Sequence, residues 1–236
     1  MKKIFIVLIL IIVFGISAQF IVSSIEPSFA QSVPAMPKVF LTWKTNTYVP
    51  SGFPGKAMPT AGSQIIASAE LVDNGKPADL SKQNVYWYQN NNFIAGGYGL
   101  QTVTFRAPDI AGGTIDLRVE FPNYSKGAQL KTIAIPIVKP EAVIESPFPY
   151  GKFSSSPIQL LGQPYFFNTD TISKLNFNWT VNGQTPSGAE NPQNLNVKFN
   201  SMLPNSALSI SFSIENTDGR YQSEGASQSI NLTYSQ

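Results

Sequence analysis

Between Val39 and Tyr234, apolar residues recur at every second position in runs of strand length. This period constrains the fold more than any other feature of the chain. A strand sends successive side chains to opposite faces, whereas a helix needs a period of about 3.6. Val39, Leu41 and Trp43 share one face, and Ile65, Ala67, Ala69 and Leu71 share another. Val85 and Trp87 follow, then Val103 and Phe105, then Ile115, Leu117, Val119 and Phe121, then Ile133, Ile135 and Ile137. Between these runs lie Asp73-Asn-Gly-Lys-Pro77, Asn90-Asn-Asn92, Ala95-Gly-Gly-Tyr-Gly99, Ala111-Gly-Gly113 and Pro122-Asn-Tyr-Ser-Lys-Gly127, all of turn composition. Each run predicts a half-buried strand, so the expected class is all-β.

The pattern closes near Val138 and begins again. Lys139-Pro140-Glu141 reads as a short stiff joint, because proline restricts itself and the residue before it. Ala142 to Ile144, the apolar stretch 158–167, and the faces Leu175/Phe177/Trp179/Val181, Leu195/Val197/Phe199, Leu208/Ile210/Phe212/Ile214 and Ile230/Leu232/Tyr234 follow. The halves align as a repeat. Val-Tyr-Trp at 85–87 matches Phe-Asn-Trp at 177–179, Val103/Phe105 matches Val197/Phe199, and Leu117/Val119 matches Phe212/Ile214, with offsets of 92–95 residues. The expected core anchors are Trp87, Phe105, Trp179 and Phe199. About seven short strands per ~100 residues around an inward tryptophan indicate a β-sandwich.

At these residues the chain resembles the tandem immunoglobulin-like modules of exported bacterial surface proteins and, more loosely, PKD-like modules. The resemblance covers 38–138 and 142–236, with 31–37 as a linker and 139–141 as the joint. It implies structural spacers, adhesion modules or ligand-binding modules, not catalysts. The cysteine pair of antibody-type domains is missing.

The chain contains no His and no Cys. Imidazole-dependent triads, thiolate nucleophiles, disulfides and Fe–S clusters are therefore excluded within it, and zinc loses its usual ligands. No cofactor-binding pattern is present. Sixteen Lys and Arg against 14 Asp and Glu leave a formal charge of +2, without a basic cluster, so no nucleic-acid partner is expected. A carboxylate-only glycosidase needs two acids facing each other across a cleft. Glu70, Asp116, Glu120, Glu141 and Glu145 are available, but no spacing singles out a pair.

The N-terminus carries Lys2 and Lys3, then no charge from Ile4 to Val22. A polar, helix-ending stretch leads to Ser28-Phe-Ala30, with small residues at −3 and −1 of a cut between Ala30 and Gln31. This is the order of a secretory signal peptide. The apolar run is also close to the ~20 residues of a spanning helix, so an uncleaved anchor through residues 4–22 is the competing expectation. Either reading places residue 31 onward outside the cytoplasm.

Three tyrosines are candidate ligand-binding residues. Tyr86 and Tyr88 flank Trp87 on the opposite face and either stack against a sugar or peptide or pair across strands. Tyr98, between glycines, reads as a loop tip. Phe148-Pro-Tyr150 and Tyr165-Phe-Phe167 pack either the second core or a contact at the joint. The chain is expected to be a non-catalytic extracytoplasmic recognition, adhesion or spacer protein whose partner is another envelope protein or a glycan. A carbohydrate-binding module is the alternative.

Overall fold

A computed structural model describes residues 36–186 and 191–235. The expected signal or anchor helix, including residues 4–22, Ala30 and Gln31, lies outside the described residues. Among those described, no helix is long and apolar enough to cross a membrane.

Two β-sandwiches follow one another. In the first, β1 (Lys38–Thr45), β2 (Gln64–Asp73) and β6 (Thr102–Arg106) form one sheet, with β2 central and the two-residue β3 (Lys76–Pro77) closing a hairpin on it. The facing sheet has the order β5 (Asn92–Tyr98), β4 (Asn84–Gln89), β7 (Thr114–Phe121), β8 (Gln129–Pro136). In the second, β9 (Glu141–Glu145), β11 (Ile158–Tyr165) and β13 (Asn194–Val197) face β12 (Leu175–Val181), β14 (Ala207–Asn216) and β15 (Gly225–Tyr234), with β10 (Lys152–Phe153) parallel to the end of β15. The chain crosses between sheets from β3 to β4, from β5 to β6 and from β6 to β7 in the first sandwich, and at every step from β9 to β14 in the second, an immunoglobulin-like arrangement.

The alternation seen in the sequence turns the cores inward. Ile65, Val85, Trp87, Ile115, Leu117, Val119, Phe121 and Ile135 are fully buried in the first sandwich, and Ile158, Phe167, Ile210, Phe212 and Ile214 in the second. Trp87 and Trp179 occupy equivalent places. Each indole nitrogen donates to the carbonyl 13 residues ahead, Leu100 at 2.8 Å and Pro192 at 3.0 Å. Phe212 packs against Trp179 at 4.3 Å between ring centroids, the rings tilted by 31°. Gly162 on β11 leaves room for that ring, since a methyl there would collide with Phe212.

Two expectations change. The repeat register is two residues off in part of its length. Ala67 faces Val103 across the first sheet as Leu160 faces Leu195 in the second, so Val103 corresponds to Leu195 rather than Val197. Likewise Trp87 faces Val119 as Trp179 faces Phe212. Phe199 therefore falls beyond β13, half-buried at the sandwich end against Phe153 and Tyr234. The glycine-rich 95–98 segment is strand, not turn. It is β5, and the actual turn is Asn90-Asn91, both at positive φ. Paired Asn residues at positive φ match the twist of a two-residue hairpin, and that local preference determines where the chain reverses.

Truncating either indole leaves a large cavity. Trp87→Ala and Trp179→Ala are each expected to lose about 3–5 kcal/mol of stability in denaturant titrations. Wild-type stability in either variant contradicts the core assignment.

Candidate functional site

The outer face of β5-β4-β7-β8 gathers the sequence candidates. Because Val85 and Trp87 point inward, Tyr86 and Tyr88 point outward. Phe93 stands opposite Tyr88 across the hairpin. Its ring lies 5.8 Å from Tyr88 and 6.3 Å from Tyr86, edge-on to both. Tyr86 lies over Gly96, where a methyl would run into its ring. Arg118 of β7 places its guanidinium 4.6 Å from the centre of the Tyr88 ring and donates from Nη1 to Asn91 Oδ1 at 2.8 Å. Its Nε sits 2.8 Å from Glu120 Oε1, an ion pair whose angle falls short of a hydrogen bond. The turn is pinned to β7 by reciprocal bonds of 2.9 Å between Asn90 and Asp116.

This arrangement differs from an open stacking platform. Arg118 covers one face of Tyr88, and both tyrosines are in T-shaped contact with Phe93. The ring offered to solvent is Phe93, 60% exposed, with Leu130 opposite Glu120 at 62%. Tyr98 ends β5 opposite Asn84, 72% exposed, outside the Tyr86–Phe93–Tyr88 cluster. The sequence reading overlooked Phe93. Its place beside an Asn-Asn turn and across from Tyr88 becomes visible only once the hairpin is registered at Asn90-Asn91.

A second assembly holds the sandwiches together. The β1–β2 connection, residues 46–63, reaches onto the second sandwich. Tyr48 N–H donates to the Phe167 carbonyl at 2.8 Å, and Phe166 N–H donates to the Tyr48 carbonyl at 2.7 Å. Phe53 packs edge-on against Tyr165 and Phe166. Tyr165 and Phe166 thus lie at the joint, while Phe167 is core. Beside them Glu224 accepts from Thr60 Oγ1 (3.1 Å), Asn168 Nδ2 (3.1 Å), Asn168 N–H (2.9 Å) and Asn216 Nδ2 (2.7 Å). Ser63 Oγ donates to Asn168 Oδ1 at 2.7 Å. Thr60, Ser63 and Asn216 are buried, so these bonds satisfy groups that water does not reach. Nothing local in the sequence marks this network, because its members lie more than 100 residues apart across the joint.

Next to it, Asp218 accepts from Arg220 Nε at 3.2 Å and Nη2 at 3.0 Å, and from the Arg220 N–H. These bonds hold its carboxyl down to about 2. Among the described residues, no group of three or more acidic side chains is placed to hold a metal ion.

No family model matches the chain, and no curated protein matches it. Solved structures that match the chain include the fibronectin(III)-like modules of Clostridium thermocellum CbhA, at 16% identity and a TM-score of 0.29 over 84% of this chain and 95% of that one. The three N-terminal domains of the bacteriophage RB49 highly immunogenic outer capsid protein are 12% identical, with a TM-score of 0.43, over 84% of this chain and 59% of that one. A 1.5-MDa bacterial ice-binding adhesin is 9% identical, with a TM-score of 0.33, over 86% of this chain and 65% of that one. The fold assignment rests on the strand order itself.

Removing the central acceptor leaves several donors unpaired at once. Glu224→Ala is expected to split a single melting transition into two and to broaden the inter-sandwich distances measured by spin-label spectroscopy. An unchanged distance distribution contradicts the role given to Glu224. Because the Asp218 carboxyl is depressed, its contribution to stability is complete above its ordinary value of 3.8 and is lost as pH falls through about 2. Asp218→Asn is expected to flatten stability between those two values, as read from denaturant midpoints.

Proposed function

We propose that this chain is a non-catalytic recognition module working outside the cytoplasm, with the outer face of β5-β4-β7-β8 as its contact surface for a protein partner. The observation that carries this reading is the preorganised cluster of Phe93, Tyr86, Tyr88 and Arg118. Aromatic and arginine side chains dominate the energetics of protein interfaces, above all when held rigid before contact. Phe93 is an exposed anchor braced by two tyrosines, and the Arg118–Glu120 pair supplies a polar rim. A protein socket fits this better than a pyranose ring does, because Arg118 already occupies the stacking face of Tyr88. The order of residues 1–30 supports export, and the bonded joint supports a spacer that presents the face in a fixed direction.

The experiment is adhesion of beads coated with the full chain to envelope preparations. Phe93→Ala is expected to weaken adhesion by more than about tenfold, the loss of about 2 kcal/mol typical of an anchor residue, with melting unchanged. Equal adhesion of the variant removes the reading. Protease treatment of the envelope should abolish the part of the adhesion that Phe93→Ala removes. Loss of that Phe93-dependent part on periodate treatment instead transfers this face to a glycan-binding class.

A further inference from the structure

The second sandwich carries a groove on a different face, and its chemistry points to a different ligand. On β9-β11-β13 the outward side chains stand in registered rows. Leu161 has Glu145 on one side and Asn194 on the other, and Gln159 is paired with Asn196 one row along. Together with Ser146 and Pro147 these residues line a groove of about 570 Å³. Neighbouring strands are about 5 Å apart and same-face residues about 7 Å apart along a strand. Glu145, Asn194, Gln159 and Asn196 therefore surround Leu161 at the scale of one or two sugar rings.

The composition of this lining is selective. Among the described residues no hydrogen bond engages the side chains of Glu145, Gln159, Asn194 or Asn196, although side-chain amides are satisfied elsewhere in the same sandwich, as at Gln193 and Asn216. Each amide offers two donors and an acceptor, and the carboxylate offers two acceptor oxygens to paired hydroxyls. Leu161 and Pro147 provide an aliphatic floor. No cation lines the groove, so nothing compensates a carboxylated or sulfated ligand, which Glu145 repels. Apolar floor, unengaged amides and absent cations together suit a neutral polyhydroxylated chain.

We infer that the β9-β11-β13 groove is a binding site for a neutral oligosaccharide, held by Glu145, Gln159, Asn194 and Asn196 over Leu161. This site is separate from the Phe93 face, and the inference stands or falls independently of the protein-partner reading. The test is calorimetric titration of the full chain with neutral hexasaccharides (α-1,4-, β-1,4- and β-1,3-glucans, β-1,4-mannan and β-1,4-xylan), with polygalacturonate and heparan sulfate as anionic probes. At least one neutral chain is expected to bind, and Gln159→Ala and Asn196→Ala are each expected to weaken it by about tenfold. Phe93→Ala is expected to leave it unchanged. Both amides are exposed, and circular dichroism melting verifies that the variants fold. Silence across the neutral panel overturns the inference. So does binding that survives the double Gln159→Ala/Asn196→Ala change, and so does equal or tighter binding of the anionic probes.

Discussion

Each sandwich is organised around a buried indole whose N–H must find an acceptor inside protein. A large aromatic ring contributes strongly to a core, but its polar edge penalises the fold if left unpaired. Both repeats meet the demand in the same way. In each, the residue thirteen positions after the tryptophan returns its carbonyl to the indole. That requirement fixes the length of chain between the tryptophan and the acceptor. It also sets the register in which the following strand joins the opposite sheet. The central strands, and through them the outer faces, inherit their positions from it.

The joint depends on a second demand of the same kind. Thr60, Ser63 and Asn216 are buried polar residues, and Asn168 and Glu224 arrive from the second sandwich to satisfy them. The 46–63 connection adds backbone bonds that imitate a short stretch of sheet between the sandwiches. The restriction on interdomain motion therefore lies less in Lys139-Pro140-Glu141 than in a loop from far earlier in the chain.

The β class and the inward faces were legible because alternation is a local property, written every two residues around Trp87, Trp179 and their neighbours. The repeat was legible only to within two residues. Alternation has a period of two, so a slip of that size preserves every face and leaves no trace in the pattern. It moved Phe199 from an expected core strand to the sandwich end. The 95–98 segment misled for a different reason. Its glycines favour turns in isolation, but here Gly96 makes space for Tyr86, a contact known only after pairing. Tyr86 and Tyr88 were visible as outward aromatics. Phe93 was not, since its role depends on which two asparagines reverse the chain.

The Glu224 assembly also bears on whether these sandwiches are interchangeable beads. A chain severed at 139–141 and given another neighbour would carry Thr60 and Ser63 into solvent on one piece and leave Asn168 and Glu224 without their partners on the other. Duplication, swapping or insertion of single sandwiches is therefore penalised at this boundary. The smallest unit that can be moved intact is the pair.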